Sequence, residues 1–530
     1  MSAGPSKASP GEGPVTNRHV ARGFGSTILS RMGALVEIVS QPLYVAMFGL
    51  ASFGLYAVLW AAINLAENIF DLGMTSALQR TVPQAKDNAE AVASLRAALI
   101  MGVGPCLIVA ILAALFAADI APLLNVAAKD QALVAPSIRL FIWALPMWAF
   151  VEVATSALRA RHLFGAEIRL RIVWEQIIRL VLAAALFFMG FGLTGLFLAH
   201  ICSLGVTALL CLRLLARHYP LGLLLKGPVF QPIFADTVKA GTSVLPGNIV
   251  ARLFGDAPAI VLNMVIPGAA GASAAALFTI ARKISSAVQL VRIAFVYVLA
   301  PLASSALRHD IGHVRSIYAY AVRLILVIAT PMALTLSAAT HPILGVFGKG
   351  ADAATGAVII LILARAIEAV VGISLPVMQV VSGYGQQLVS GFVGLAVACV
   401  AAIFLISPAA PLTGMAAAVA IGIIVTAIIP MVQLYVHDGL HPFDGQLGKV
   451  MIRTMAISLA AFALSYAASW LPDAAALPIA IAILLAAIWC AARFALPLED
   501  RLSLGKAARK LRLVPLTVPA APLTDMPPSR

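Results

Sequence analysis

Apolar runs of about twenty residues or more, separated by short polar turns, recur from residue 24 almost to the C-terminus. A helix rising about 1.5 Å per residue crosses the hydrocarbon of a bilayer in that length. The pattern predicts about fourteen such helices, over 24–48, 52–78, 94–117, 133–158, 168–190, 193–213, 241–266, 271–302, 317–343, 354–380, 386–407, 412–436, 449–471 and 474–497. The expected fold class is therefore an all-α polytopic membrane protein. Ahead of the first run, residues 1–23 are rich in Ser, Gly and Pro and read as a disordered cytoplasmic arm. The first run exceeds signal-peptide length and has no A-x-A site, so it is expected to stay in place as the first span.

Composition agrees: 62% of residues are hydrophobic and 11% charged, against roughly a quarter charged in soluble domains. The formal net charge of +14 does not indicate nucleic acid, because no RNA- or DNA-binding motif is present and the basic residues gather at span ends. With the N-terminus inside, Arg80, Lys86 and Arg96, then Arg159 and Arg161, then Arg213, Arg217, Lys226 and Lys239, then Arg308 and Arg315, all fall on the cytoplasmic side. Lys449 and the tail residues Arg501, Lys506, Arg509, Lys510 and Arg512 join them, which makes both termini cytoplasmic. The opposite loops carry only Lys129 and Lys349, and the cytoplasmic turn 382–388 lacks a basic residue. The five cysteines all lie in apolar spans without a CxxC pair or a nearby His; they read as small buried hydrophobes, and no metal or cofactor is expected.

The chain also repeats itself. Gly25-Ser26-Thr27 and Gly241-Thr242-Ser243 open comparable spans, and Pro42-Leu43-Tyr44-Val45 aligns with Pro258-Ala259-Ile260-Val261 at the same offset. Gly54-Leu55-Tyr56-Ala57 lies beside Ala276-Leu277-Phe278-Thr279 at a slightly larger one. Chance similarity between apolar helices is the alternative. If the repeat is real, two six-helix lobes in parallel repeat, 24–213 and 241–436, surround a central cavity and are joined by the basic linker 214–240. Two extra helices within 449–497 then follow, as a lipid groove or as padding, and a cytoplasmic tail, 498–530. Its segment DRLSLGKAARKLRLV reads as a basic amphipathic stretch on the inner membrane surface.

Ionisable residues inside spans carry the candidate chemistry, since a charge at mid-bilayer disfavours insertion by about 2.5–3.5 kcal/mol and so faces protein or a wet cavity. Arg31 and Glu37 lie in the first span, Glu67 and Asp71 in the second, Arg252 and Asp256 in the seventh. The eighth holds Arg282, Lys283, Gln289 and Arg292, a basic face at helical spacing. Several arginines in one cleft suit an anionic ligand, because guanidinium stays charged and grips phosphate bidentately. The alternatives are structural: Glu67 and Asp71 as polar glue between helices, and Arg252 with Asp256 one turn apart satisfying each other. Arg31 and Arg292 have no obvious local partner. Arg171, Glu175 and Arg179 form a self-satisfying ladder able to snorkel, Arg365 and Glu368 a second local pair, and Gln379, Tyr384, Gln386 and Gln387 a polar cluster that suits sugar hydroxyls or a plain loop. No connecting loop is long enough for an extramembrane catalytic domain, so an enzyme is not expected.

The segment FGLYAVLWAAINLAENIFDLGMTSALQR (residues 53–80) resembles the second-helix signature of polysaccharide and O-antigen flippases in the multidrug/oligosaccharidyl-lipid/polysaccharide exporter superfamily. ALFTIARKISSAVQLVRIAFVYVLAPLASSALR (276–308) resembles the matching helix of their second lobe. The resemblance implies a non-enzymatic carrier in a bacterial cytoplasmic membrane. It would move a polyprenyl-pyrophosphate-linked oligosaccharide to the outer leaflet by alternating access, as a monomer among membrane lipids and beside a glycan polymerase. On that reading Arg31, Arg252, Arg282 and Arg292 hold the pyrophosphate, and Glu37, Glu67, Asp71 and Asp256 are cavity or coupling carboxylates. Fourteen helices, and Arg31 in the first, are also similar to the lipid II flippase branch. The competing readings are a cation-coupled multidrug antiporter and a membrane-embedded glycan polymerase or ligase.

The charge asymmetry yields a topological prediction: in a cysteine-free background, a cysteine at Ser503 is labelled by an impermeant thiol reagent only from the inner face. Labelling from the outer face alone would overturn the even helix count.

Overall fold

In the computed structural model, residues 33–161, 163, 174–226, 232–307, 311–381 and 385–514 are described, and among them there is helix and no strand. In chain order the helices are α1 (Gly33–Phe48), α2 (Leu50–Phe70), α3 (Met74–Gln84), α4 (Asn88–Leu115), α5 (Ala128–Ala160, opening with a 3-10 turn), α6 (Glu175–Phe188) and α7 (Gly192–His218). The short α8 (Leu221–Lys226) follows, then α9 (Pro232–Val265), α10 (Gly268–Leu307), α11 (Ile311–Ala338), α12 (Ala351–Met378), α13 (Gly385–Leu405) and α14 (Pro411–Asp438). After these come α15 (Gly445–Ala468), α16 (Asp473–Ala495), α17 (Leu498–Ser503) and α18 (Lys506–Lys510). Twelve helices among the described residues are long and apolar enough to cross a membrane. The other two expected spans, 24–48 and 168–190, lie partly outside the described residues, and their described parts are α1 and α6.

These helices assemble as two groups. In the first, α7 packs on α5 and α6, and α3 on α5; in the second, α14 packs on α12 and α13, and α10 on α11 and α12. The groups meet where α2 lies along α9 and α10 and α3 lies along α9. The extra pair α15 and α16 packs on the outer side of the second group, against α11. Lipid replaces water around this bundle, so large apolar side chains such as Ile108, Phe404 and Trp470 stay exposed without penalty. The same reason corrects the expectation for the cysteines: Cys106 and Cys211 are buried in protein, but Cys202 and Cys399 lie on the outer surface of the bundle.

Two features depart from the expected outline. The span over 52–78 is not one helix: α2 ends at Phe70 and α3 starts at Met74, with Leu72 and Gly73 at positive φ. Irregular backbone at membrane depth survives only inside protein or beside a wet cavity. The tail segment 500–514 is not one surface helix either. Gly505, also at positive φ, splits it into α17 and α18, and the buried Asp500 accepts from Arg323 of α11 at 2.6 Å while Trp489 donates to the Leu511 carbonyl at 2.8 Å. Arg323 also reaches Asp444 at 2.8 Å, so one guanidinium of α11 ties both the start of α15 and the tail to the bundle.

Glycine sets how closely the two groups meet. A Cβ on Gly54 of α2 would stand 1.9 Å from the Ala272 carbonyl oxygen of α10, and one on Gly73 would stand 2.2 Å from the Gly241 oxygen of α9. Both obstacles are backbone, which cannot swing aside. We expect Gly54→Ala to lower stability in detergent by about 1–3 kcal/mol, as overpacking does. Gly104→Ala, where nothing lies within 4 Å, is the matched control. Equal thermal melting of the two variants would refute the close seam.

Candidate functional site

Between the two seams, a cavity of about 690 Å³ is lined by α2, α3 and α5 of the first group and by α9, α10, α12, α13 and α14 of the second. Its volume suits a ligand of substantial size.

The break after α2 builds one wall. Glu67 and Asp71 are four residues apart, so they share one face of the helix and its C-terminal turn, and both line the cavity. Asp71 accepts from the Thr75 amide at 3.2 Å and its hydroxyl at 3.1 Å, which holds the first turn of α3 against the carboxylate. Asn68 donates to Glu67 at 3.0 Å. From α5, Ser156 donates to the Thr75 carbonyl at 2.5 Å, and one turn earlier Glu152 adds a third carboxylate to the same wall. Glu152 is a site residue the sequence reading passed over. Its signal was present, an isolated carboxylate in the apolar run FVEVATSAL, the same cue that singled out Glu67.

The opposite wall is cationic. Arg252, Arg282, Lys283, Arg292 and Arg365 line it together with Asp256 and Glu368. Asp256, with a side chain only 1% exposed, accepts from Arg282 of the neighbouring helix at 3.0 Å, whereas Arg252 on its own helix stands at 3.9 Å. The expected Arg252–Asp256 pair is therefore secondary, because α10 brings a closer guanidinium across. Arg292 is not without a partner: it meets Glu368 of α12 at 3.0 Å, and Arg365 meets the other oxygen of that carboxylate at 2.6 Å. Arg365 and Glu368, read from sequence as a purely local pair, thus join the cavity wall. Of the arginines in these ion pairs, Arg252 has the most exposed side chain, at 37%.

Arg31, Arg171 and Tyr384 lie outside the described residues, as do the side chains of Glu37, Gln379, Gln386 and Gln387. Glu175 and Arg179 do pair, but inside the first group and not at a snorkelling position, with the guanidinium beside Trp60. There Tyr56 and His200 are linked at 3.0 Å and the Trp60 ring stands 4.2 Å from the His200 ring. This cluster stiffens the core behind the acidic wall and does not line the cavity.

Across the cavity, then, the first group presents three carboxylates and no described Lys or Arg, and the second presents five cations against two carboxylates. An all-helical membrane protein with two helix groups around one charged cavity is the class this geometry defines. Residues 20–307, more than half of the sequence, match the family model described as polysaccharide biosynthesis protein, and the chain belongs to that family. Curated proteins give no match. Among solved structures, the fold is similar to the lipid II flippase MurJ in an inward closed conformation, with TM-score 0.69, 12% identity, and 88% of this chain and 97% of that one covered. It is also similar to a multidrug resistance MATE family transporter of the MOP superfamily in an inward-facing conformation, with TM-score 0.62, 15% identity and coverage of 78% and 96%. A Vibrio cholerae MATE transporter, VcmN, superposes with TM-score 0.60 at 14% identity over 80% of this chain and 98% of that one.

The Glu368 triad gives a direct test. Glu368→Ala leaves Arg292 and Arg365 facing each other uncompensated, and stability should fall by about 3–5 kcal/mol. Replacing Glu368, Arg292 and Arg365 together by Met should recover most of that loss, as buried ionic groups exchanged for apolar ones often do. Thermal unfolding in detergent checks both; an unchanged melting curve for Glu368→Ala would show that the pairing carries no stability.

Proposed function

We propose that this protein flips a polyprenyl-pyrophosphate-linked oligosaccharide across a bacterial cytoplasmic membrane by alternating access, serving polysaccharide or lipopolysaccharide assembly beside a glycan polymerase. The observation that carries this reading is the cationic wall of a large cavity between two helix groups, in a chain of the polysaccharide biosynthesis family. Arg252 offers N–H groups to a diphosphate with least loss of existing pairing, since it stands 3.9 Å from Asp256, and Arg282, paired with the same carboxylate at 3.0 Å, joins it. Arg292 is more firmly engaged with Glu368, and its part is to set the field of the wall. Arg31 belongs to the same pyrophosphate set by its position in the first span. Asn248, Ser286, Gln289 and Thr426 add neutral polar groups that suit sugar hydroxyls. The acidic wall of Glu67, Asp71 and Glu152 balances the cations across the cavity when no substrate is bound, so an arriving diphosphate replaces an interaction already present. With the basic loops inside, both termini are cytoplasmic and the substrate enters from the inner leaflet.

The same acidic wall favours a second reading, a cation-coupled drug antiporter in which those carboxylates bind the driving ion or a cationic compound. The two readings separate on variants. Under the flippase reading, Arg252→Ala and Arg282→Ala each lose about 1.5–3 kcal/mol of charge-assisted hydrogen bonding, weakening binding of a polyprenyl-diphosphate probe roughly tenfold or more while expression holds. Lys should rescue only in part, because the bidentate fork is lost. Glu67→Gln and Asp71→Asn should lower glycan export without changing drug resistance. Unaltered probe binding in both arginine variants, or drug efflux abolished by the carboxylate variants, would move the assignment to the antiporter.

A further inference from the structure

At the end of the bundle opposite the basic loops, the two helix groups are joined by a side-chain amide pair. Asn125 lies in the irregular turn between α4 and α5; Asn263 lies near the C-terminus of α9 and is fully buried. The Asn263 amide pairs with the backbone of residue 125 in both directions: its Oδ1 accepts from the Asn125 N–H at 3.1 Å and its Nδ2 donates to the Asn125 carbonyl at 2.7 Å. The Asn125 side chain returns the arrangement. Its Nδ2 donates to the carbonyls of Asn263 at 2.8 Å and Met264 at 3.2 Å, and its Oδ1 accepts from the Gly268 N–H at 3.1 Å.

Those backbone groups are ones that helix geometry leaves open. Asn263 and Met264 supply last-turn carbonyls of α9, and Gly268 supplies the first N–H of α10, which have no partner within their own helices. Asn125 thus caps both helices of the second group from the first group. Beneath it, Gly54 of α2 meets the Ala272 carbonyl of α10, and the apolar Phe53, Ala259, Leu262 and Ala275 are buried. Asn263 stands seven residues beyond Asp256 on α9, about 10 Å further from the cavity at 1.5 Å per residue.

We infer that the Asn125–Asn263 pair is the latch of the outer gate: it holds the cavity shut on this face, and outward opening requires all five of these hydrogen bonds to part together. Each of them can be replaced by water once the face opens, so the latch is reversible; the reciprocal geometry makes its opening cooperative, because removing either side chain strands groups on the other. The inference rests on the alternating-access reading and on the proposed orientation, but not on the identity of the substrate.

The test reads access alone. In a background without native cysteines, Ser286→Cys places a thiol on the cavity wall, and a charged, membrane-impermeant maleimide is applied to intact cells. A cysteine at Lys129, beside the latch, reports orientation separately; if it is unreactive from outside, the same measurements are made on inverted vesicles. Asn125→Ala should raise the rate of Ser286→Cys labelling from the latch face about tenfold, the scale expected when a few hydrogen bonds are removed from one state only. Asn125→Asp, which keeps the acceptor for Gly268 but sets a carboxylate oxygen against the two α9 carbonyls, should label at least as fast as Asn125→Ala. Joining Asn125→Cys to Asn263→Cys with a short bifunctional thiol reagent should abolish labelling from that face. Wild-type rates in both Asn125→Ala and Asn125→Asp, or undiminished labelling in the crosslinked protein, would overturn the latch.

Discussion

Charge held at membrane depth must be compensated locally, and the architecture around the cavity follows from that constraint. Every carboxylate on the cationic wall stands within ion-pair distance of a guanidinium: Asp256 with Arg282 at 3.0 Å, and Glu368 with Arg292 and Arg365 at 3.0 and 2.6 Å. Attraction between such groups is strong where water is scarce, but so is the penalty for losing one member. Arg365 shares α12 with Glu368, but Arg282 and Arg292 reach their carboxylates from another helix, so α9 is tied to α10 and α10 to α12. The ion pairs therefore join three helices of the wall. The acidic wall is assembled differently, around a helix break whose hydrogen bonds run to Thr75 and Ser156.

Glycine and the break act together to keep the two bodies close yet separable. The carbonyls that Gly54 and Gly73 approach belong to the other group, so at these two points backbone meets a residue without a side chain. Such contacts let helices of the two groups approach closely where they pack in a membrane. Large interlocked side chains lie within the first group, at Tyr56, Phe141, Phe197 and His200.

Much of this was legible in the sequence. Length and hydropathy marked the spans, because a bilayer admits only structures that satisfy their own backbone hydrogen bonds, and a helix does so by local pairing alone. Isolated charges in those spans marked Arg252, Asp256, Arg282, Arg292, Glu67 and Asp71, all of which line the cavity. The break at Asp71, Leu72 and Gly73 was not foreseen, because the span over 52–78 was read as one continuous helix. Glu152 was overlooked despite carrying the same signal. The resemblance of residues 53–80 and 276–308 to polysaccharide flippases pointed to the family that the match over 20–307 then established.

What the sequence by itself determined is whatever acts over one helix: which segments span and which residues share a polar face. Only the tertiary structure decided which charge answers which. Asp256 takes a guanidinium from α10 in preference to the one a turn away, Glu368 reaches Arg292 more than seventy residues earlier, and Asn125 caps helices that begin and end some 140 residues later. Helical periodicity gives direction around an axis but no information about the neighbouring axis. Pairing across helices depends on how close the backbones can come, and here that distance is set by Gly54 and Gly73 meeting bare backbone on the other side.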